Sequence, residues 1–142
     1  PVIFPVHPRT QPMIACCARA QTLVHEGALR PVDPIGYVDF LGLMEGSRIV
    51  LTDSGGVQEE TTILGVPCLT LRDNTERPAT ITHGTNQIVG TDPNRILDAW
   101  RKTKTTAETK GPPPLWDGRA AERIVNVLRS LPRRAPPANI AV

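Results

Sequence analysis

Short apolar runs alternate with helical patterns along most of this chain. The apolar runs, rich in β-branched residues, predict strands at residues 2–6, 28–32, 48–51, 67–71 and 87–89. The segments between them predict helices at 12–25, 37–45, 57–64 and 93–102, and a last amphipathic pattern predicts a helix at 119–130. Strands that alternate with helices of this length are typical of an α/β fold with a doubly wound parallel sheet.

Length and composition narrow the class of protein. The 142 residues suffice for one domain with a real core, and a net charge of +2 provides no basic surface for nucleic acid or an anionic membrane. The three cysteines have no metal-ligand spacing, and unpaired thiols suit the reducing cytoplasm. No apolar run is long enough to span a bilayer. We therefore expect a cytoplasmic protein without a metal site.

Prolines and polar residues mark the less regular segments. Residues 104–114 are polar and end in consecutive prolines, which predicts a loop or linker. Residues 132–142 contain prolines, arginines and little to bury. We expect one domain over residues 1–131, followed by a flexible C-terminal tail at 132–142.

The sequence LTDSGGVQEE, residues 51–60, joins a predicted strand to a predicted helix. The side-chain oxygen of Ser54 suits a helix N-cap, and Gly55 and Gly56 let the backbone approach a neighbour closely. Free N–H groups at a helix amino end form a ready anion site. The stretch lacks the lysine of the nucleotide phosphate loop and the three glycines of the dinucleotide fingerprint. From these residues alone, an anion site and a merely tight turn are about equally supported.

Ligands of such sheets bind beyond the carboxyl ends of the strands, where the sequence places further polar groups. His7 can bind phosphate or carry a proton there, or serve a structural role. Arg77 can face phosphates, or pair with Glu76 or Asp73. A carboxylate at Glu60 can accept two hydrogen bonds from a ribose diol, or simply be solvated.

Several motifs resemble the non-hydrolysing UDP-N-acetylglucosamine 2-epimerases, in the order found in that family. They are FPVHPRT, DPIGYVDFLGLM, LTDSGGVQEETTILGVPCLTLRDNTERPATITHGTNQIVGTD and WDGRAAERI. The resemblance implies the C-terminal half of a GT-B arrangement, in which two Rossmann-like domains hold a nucleotide sugar between them. It further implies interconversion of UDP-GlcNAc and UDP-ManNAc by elimination and re-addition of UDP, without metal or redox cofactor, in the service of polysaccharide biosynthesis.

The resemblance also assigns roles to single positions. Ser54, Gly55 and Gly56 are expected to cradle the diphosphate, Glu60 to bind the ribose, and Arg77 to face the leaving UDP.

Three other positions match family contacts to the base or to a second ligand. Phe40 corresponds to an aromatic residue beside the uracil, and Ile35 to a position whose backbone faces the base. Some members have glutamine at the latter position, so that only a main-chain contact is expected for Ile35. His7 corresponds to a histidine that, in bacterial members, touches a second, activating UDP-GlcNAc.

The chain departs from the family in its extent. Full-length members are more than twice as long, and their catalytic carboxylates lie in an N-terminal domain that has no counterpart here. The first strand and helix of the C-terminal domain are also missing, and that strand normally occupies the centre of the sheet. We therefore expect two separated groups of strands. We also expect the chain to be inactive without its N-terminal domain. For the full-length enzyme, a homodimer is one possible assembly.

Two alternatives from other classes remain open. A GT-B glycosyltransferase has a similar nucleotide-sugar half-domain but transfers the sugar to an acceptor. A non-catalytic nucleotide-sugar sensor needs no N-terminal carboxylates.

Overall fold

A computed structural model describes residues 1–103 and 112–132. The strands in this part of the chain are β1 (Val2–Pro5), β2 (Leu29–Val32), β3 (Val50–Thr52), β4 (Cys68–Thr70) and β5 (Asn86–Ile88). The helices are α1 (Gln11–Cys16), α2 (Ala18–His25), α3 (Tyr37–Glu45), α4 (Gly55–Leu64), α5 (Pro78–Thr82), α6 (Pro93–Thr103) and α7 (Ala120–Ser130). The chain divides into two compact units, residues 1–48 and 49–142.

The first unit contains a two-stranded parallel sheet, in which Val2 is paired with Leu29 and Pro5 with Val32. Where the sequence predicts one helix at 12–25, the structure has α1 and α2, separated by Cys17 in an extended conformation. The break releases the Ile14 carbonyl from a regular helical bond. This carbonyl accepts hydrogen bonds from the Cys17 N–H at 3.2 Å and from the Gln21 side chain at 3.0 Å. The prediction of one continuous helix was therefore wrong. A break at Cys17 is tolerated because a side chain seven residues after Ile14 provides a hydrogen bond to the carbonyl that the break leaves free.

The second unit contains a three-stranded parallel sheet in the order β3–β4–β5. All three residues of β4 are buried because this strand has a neighbour on each edge. Its Leu69 packs with Val89 and with Ala99 of α6 to form the hydrophobic core. The core thus supports the sheet edge at which β3 leads into α4.

Most sequence-based predictions of elements are confirmed. The strands are parallel and the class is α/β, as expected. The expected two groups of strands are present as two separate sheets. Helix α5 was not predicted as an element, although Pro78 at its start is a common first helical residue.

Two further expectations concern segments that are only partly described. Most of the predicted loop at 104–114, and nearly all of the predicted tail at 132–142, lie outside the described residues. Within residues 1–103 and 112–132, no helix has the length and apolar character needed to cross a membrane.

Candidate functional site

The turn between β3 and α4 presents the amino end of a ten-residue helix. Ser54 is the N-cap residue, with φ −84° and ψ 127°, and its side chain makes no capping hydrogen bond. Its own N–H donates to the Thr52 hydroxyl at 3.0 Å, which holds the turn. The first amides of α4 have no acceptor within the helix, which is the arrangement that anion sites at helix amino ends use.

Neither Gly55 nor Gly56 has a positive φ, so neither is needed for an unusual backbone conformation. A Cβ on Gly55 would lie 2.6 Å from Glu76 Oε1, so the loop before α5 approaches the helix closely here. A Cβ on Gly56 would have only Ser54 Oγ within 4 Å, at 3.8 Å. The predicted close approach therefore holds for Gly55, whereas Gly56 borders open space at the helix start.

Arg77 lies at the amino end of α5 and pairs with a carboxylate of α4. Its Nε is 2.9 Å from Glu59 Oε1, although no N–H of this atom is aligned for a hydrogen bond with any described group. The sequence alternatives, Glu76 and Asp73, were wrong for this ion pair, because Glu76 pairs with Arg72 at 3.0 Å. Both side chains of the Arg77–Glu59 pair are about 40% exposed (42% and 41%), although the Arg77 Nε atom itself is buried.

The carboxylate of Glu76 adds negative charge to this loop. The pKa of the Glu76 carboxyl is lowered, chiefly by a hydrogen bond from its own backbone and then by Arg72 and Arg77. Glu76 is thus ionised near neutral pH and is a poor proton donor. The site consequently combines two arginines with carboxylates that partly neutralise them.

Glu60 occupies a different face of α4 from Glu59. Positions four apart share a helix face, so Glu59 follows Gly55 and Glu60 follows Gly56. Glu60 is half-buried and takes part in none of the ion pairs found in the described part of the chain. Its carboxylate therefore lies on the helix face that starts at Gly56, where the glycine turn borders open space.

The first unit brings three of the candidate residues together. His7, Ile35 and Phe40 line an open hollow of about 250 Å³, together with Pro5, Val6 and Pro34. The surface of the hollow is almost entirely apolar. His7 Nδ1 accepts a hydrogen bond from the Arg9 N–H at 3.2 Å, so Nε2 carries the proton of the neutral ring. A flat apolar group fits this lining, and His7 provides a donor at its border.

Sequence analysis missed a buried network, here called the amide–hydroxyl network, formed by Gln58, Thr70, Thr75, Thr80 and Asn86. Gln58 Oε1 accepts hydrogen bonds from Thr75 Oγ1 at 2.6 Å and from Asn86 Nδ2 at 3.1 Å. Asn86 also donates to Thr80 Oγ1 at 3.0 Å and accepts from Thr70 Oγ1 at 2.6 Å. The sequence could have indicated this network, because polar residues lie on the side of α4 that faces the core, where an amphipathic helix usually carries apolar residues.

The thiols and carboxylates of the described residues form no group of three or more that can hold a metal ion. Cys16 and Cys17 are exposed, whereas burial raises the pKa of the Cys68 thiol. Cys68 is a core residue of β4.

The described residues thus form a parallel α/β protein in which α4 begins at a glycine turn. The profile of the UDP-N-acetylglucosamine 2-epimerase family matches residues 1–129. The chain belongs to this family.

Individual relatives agree with the family match. The UDP-N-acetylglucosamine 2-epimerase of Methanococcus maripaludis is 40% identical over 128 residues, which are 89% of this chain and 34% of the relative. The Escherichia coli K12 enzyme of the same name is 35% identical over 136 residues, or 91% of this chain and 35% of that protein. This chain therefore spans about a third of the length of these relatives.

Solved structures agree as well. UDP-GlcNAc 2-epimerase from Methanocaldococcus jannaschii superposes with a TM-score of 0.76 at 39% identity, covering 89% of this chain and 35% of that one. The same enzyme in complex with UDP-GlcNAc and UDP gives a TM-score of 0.75.

Proposed function

We propose that residues 1–129 form the UDP-binding part of an epimerase that interconverts UDP-GlcNAc and UDP-ManNAc. Family membership supports the reaction, and the complex of the M. jannaschii relative with UDP-GlcNAc and UDP supports the ligand. The observation that carries the proposal is the partly exposed Arg77 side chain in the loop packed against the glycine turn. The reaction proceeds by elimination and re-addition of UDP.

In this proposal the second unit binds the diphosphate and the ribose. The Ser54 hydroxyl and the amides of Gly55 and Gly56 donate to phosphate oxygens, and Arg77 exchanges part of its pairing with Glu59 for the diphosphate. Glu60 accepts hydrogen bonds from the ribose hydroxyls. Negative charge develops on UDP as it leaves, and donors that are already oriented stabilise that charge without reorganising.

We further propose that the hollow of the first unit binds an aromatic base. Phe40 provides the apolar face, and the Ile35 backbone faces the base edge. His7 is proposed to contact the ligand, or a second nucleotide sugar, through Nε2, which its hydrogen bond with Arg9 leaves as the outward donor.

We do not assign the proton transfers at the sugar carbon to the described residues. They require positioned acid and base groups, which we expect in an N-terminal domain such as the family's other members have. We propose a cytoplasmic enzyme because its unpaired cysteines suit a reducing compartment.

Calorimetric titration of UDP into the intact protein tests the anion site. We expect Arg77→Ala to weaken UDP binding roughly 10- to 100-fold, because hydrogen bonds to a charged group are lost. Gly56→Val should also weaken it, because the added side chain occupies the open space from which a phosphate would approach the helix start. Matched controls are Arg101→Ala, which removes an exposed arginine of the same unit, and Gly42→Val, a helical glycine with no atom within 4 Å of an added Cβ. Saturable UDP binding that neither site variant affects would contradict the assignment.

A further inference from the structure

The backbone of Arg77 is held on both sides by threonine hydroxyls. Its N–H donates to Thr75 Oγ1 at 3.0 Å, and its carbonyl accepts from Thr80 Oγ1 at 2.7 Å. Arg77 is the N-cap residue of α5, with φ −118° and ψ 59°, and its carbonyl also accepts the Thr80 N–H at 3.0 Å. The Thr75 hydroxyl is therefore the acceptor that holds the Arg77 N–H, whereas both the hydroxyl and the N–H of Thr80 hold its carbonyl.

Both hydroxyls are in turn fixed by buried amides. Thr75 donates to Gln58 Oε1 at 2.6 Å, and Thr80 accepts from Asn86 at 3.0 Å. Gln58 is completely buried and Asn86 is 5% exposed, so water does not compete for these bonds. Gln58 belongs to α4, the helix whose amino end forms the glycine turn. The amide–hydroxyl network thus connects the Arg77 backbone directly to the helix that bears the other anion donors.

The network lowers the stability of the folded state relative to an apolar filling of this part of the interior. Gln58 Nε2 is buried and has no hydrogen-bond partner among the described residues. An unsatisfied buried donor destabilises the folded state, and an apolar side chain of similar size would avoid this loss. Packing alone therefore does not explain a glutamine at position 58.

We propose that the amide–hydroxyl network positions the Arg77 guanidinium beside the amino end of α4 and thereby sets the affinity for the diphosphate. Gln58, Thr75 and Asn86 are positioning residues in this sense and do not touch the ligand. The inference rests on the proposed function, since it explains how the arginine of the same anion site is held in place.

The test compares two substitutions of Thr75 in the intact protein. Thr75→Val removes the hydroxyl that links Arg77 to Gln58, whereas Thr75→Ser retains it. We expect Thr75→Val to weaken UDP binding roughly 3- to 10-fold, the range for loss of one or two hydrogen bonds, and Thr75→Ser to bind like the parent protein. Uridine, which has no phosphates, should bind equally to all of these proteins.

A matched control removes a buried hydroxyl outside the network. Thr61 is fully buried, and its hydroxyl contacts the Val57 and Gln58 carbonyls of its own helix and the Cys68 thiol, none of which touches Arg77. Thr61→Val should therefore leave UDP binding unchanged. A Thr75→Val protein that loses uridine and UDP binding equally would overturn the proposal, because the loss would then be a general structural effect.

A second measurement does not depend on a ligand. Amide hydrogen exchange at Arg77 should become roughly 3- to 10-fold faster in Thr75→Val but not in Thr75→Ser, since its acceptor is removed only in the former. If Thr75→Val does not fold, Thr75→Ala removes the same hydroxyl at this half-buried position and takes its place. Failure of the parent protein to bind UDP would contradict the proposed function. Hydrogen exchange at Arg77 would still test whether the network holds the Arg77 backbone. Unchanged exchange at Arg77 would overturn the proposal.

Discussion

Neighbouring glutamates on α4 have different surroundings. Glu59 lies on the face that follows Gly55 and pairs with Arg77, whereas Glu60 lies on the face that follows Gly56 and has no ion pair in the described part of the chain. A carboxylate already paired with an arginine is a weak acceptor for a further ligand. Glu60 is therefore the better candidate for a ribose contact.

We expect Glu60→Ala to weaken UDP binding roughly 10-fold, since one or two hydrogen bonds to a charged group are lost. Binding of a UDP analogue without the ribose hydroxyls should not change, because that ligand never makes the contact. Both affinities are measured by calorimetry. Glu122→Ala, which removes an exposed glutamate paired with Arg119, is the control. Equal losses for both ligands would show that Glu60 is not the ribose contact.

At the scale of elements, glycines decide how closely α4 can be approached. A Cβ on Gly84 would lie 2.5 Å from Thr62 Oγ1 of α4 and 2.5 Å from the Thr80 carbonyl of α5. The carbonyl cannot move without the helix. At Gly55 the close atom is the end of the flexible Glu76 side chain, which can rotate away.

We therefore expect Gly84→Ala to lower the free energy of unfolding by about 1–3 kcal/mol, as overpacking does. Gly55→Ala should change it much less. Urea unfolding of both variants measures the difference. Similar midpoints for the two variants would contradict the packing described between α4 and α5.

Helix α7 is preceded by an ion pair that stabilises its first turn. Asp117 accepts hydrogen bonds from the Arg119 N–H at 3.0 Å and from Arg123 Nη1 at 2.9 Å. The Arg123 guanidinium, followed by the Arg119 backbone, lowers the pKa of the Asp117 carboxyl from 3.8 to about 2. A lowered pKa means that the folded state binds this proton more weakly than the unfolded state. The resulting stabilisation is complete above the unfolded value and is lost as the pH falls through about 2.

We expect the Asp117 carboxyl to titrate near pH 2 in the parent protein, and in Arg123→Gln to titrate closer to its ordinary value of 3.8. The physical reason is that the charged partner of the carboxylate is gone. The carboxyl carbon chemical shift of Asp117 reports the titration. An unchanged midpoint in Arg123→Gln would show that the ion pair does not form in solution.

At the scale of the whole molecule, we give the glutamates around the glycine turn no role in proton transfer at a sugar carbon. Glu59 and Glu76 are each paired with an arginine, and Glu60 is proposed to bind ribose. The relatives are about three times as long as the matched region. We therefore propose that proton transfer at the sugar carbon uses groups outside the described residues.

A polypeptide of residues 1–142 should not exchange the C2 proton of UDP-GlcNAc in deuterated water. Proton abstraction and return require positioned bases on the sugar, and a protein that includes the family's N-terminal domain should restore exchange. NMR of the nucleotide sugar follows the reaction, and product analysis with an acceptor tests for glycosyl transfer. Exchange by residues 1–142 that is abolished by Glu76→Gln would place the chemistry in this part of the protein instead.

Local patterns determined much of this fold. Helix α3 has the predicted bounds because Gly36 and Gly46 flank a continuous helical pattern. The helix predicted after the Ser54–Gly55–Gly56 turn is present, although it begins at Gly55 rather than at Val57, since helix propensity acts over a few adjacent residues. Parallel strands followed from their alternation with helices.

Tertiary structure decided the features that depend on residues far apart in the chain. Arg77 pairs with Glu59 rather than with Glu76 or Asp73 because the loop before α5 packs against the first turns of α4. The bonds from Gln58 to Thr75 and Asn86 span 17 and 28 residues, and no local pattern encodes them. Hydrogen-bond partners of buried polar groups are set by which elements meet in space, whereas the sequence by itself determined most of the elements, α5 and the break between α1 and α2 excepted.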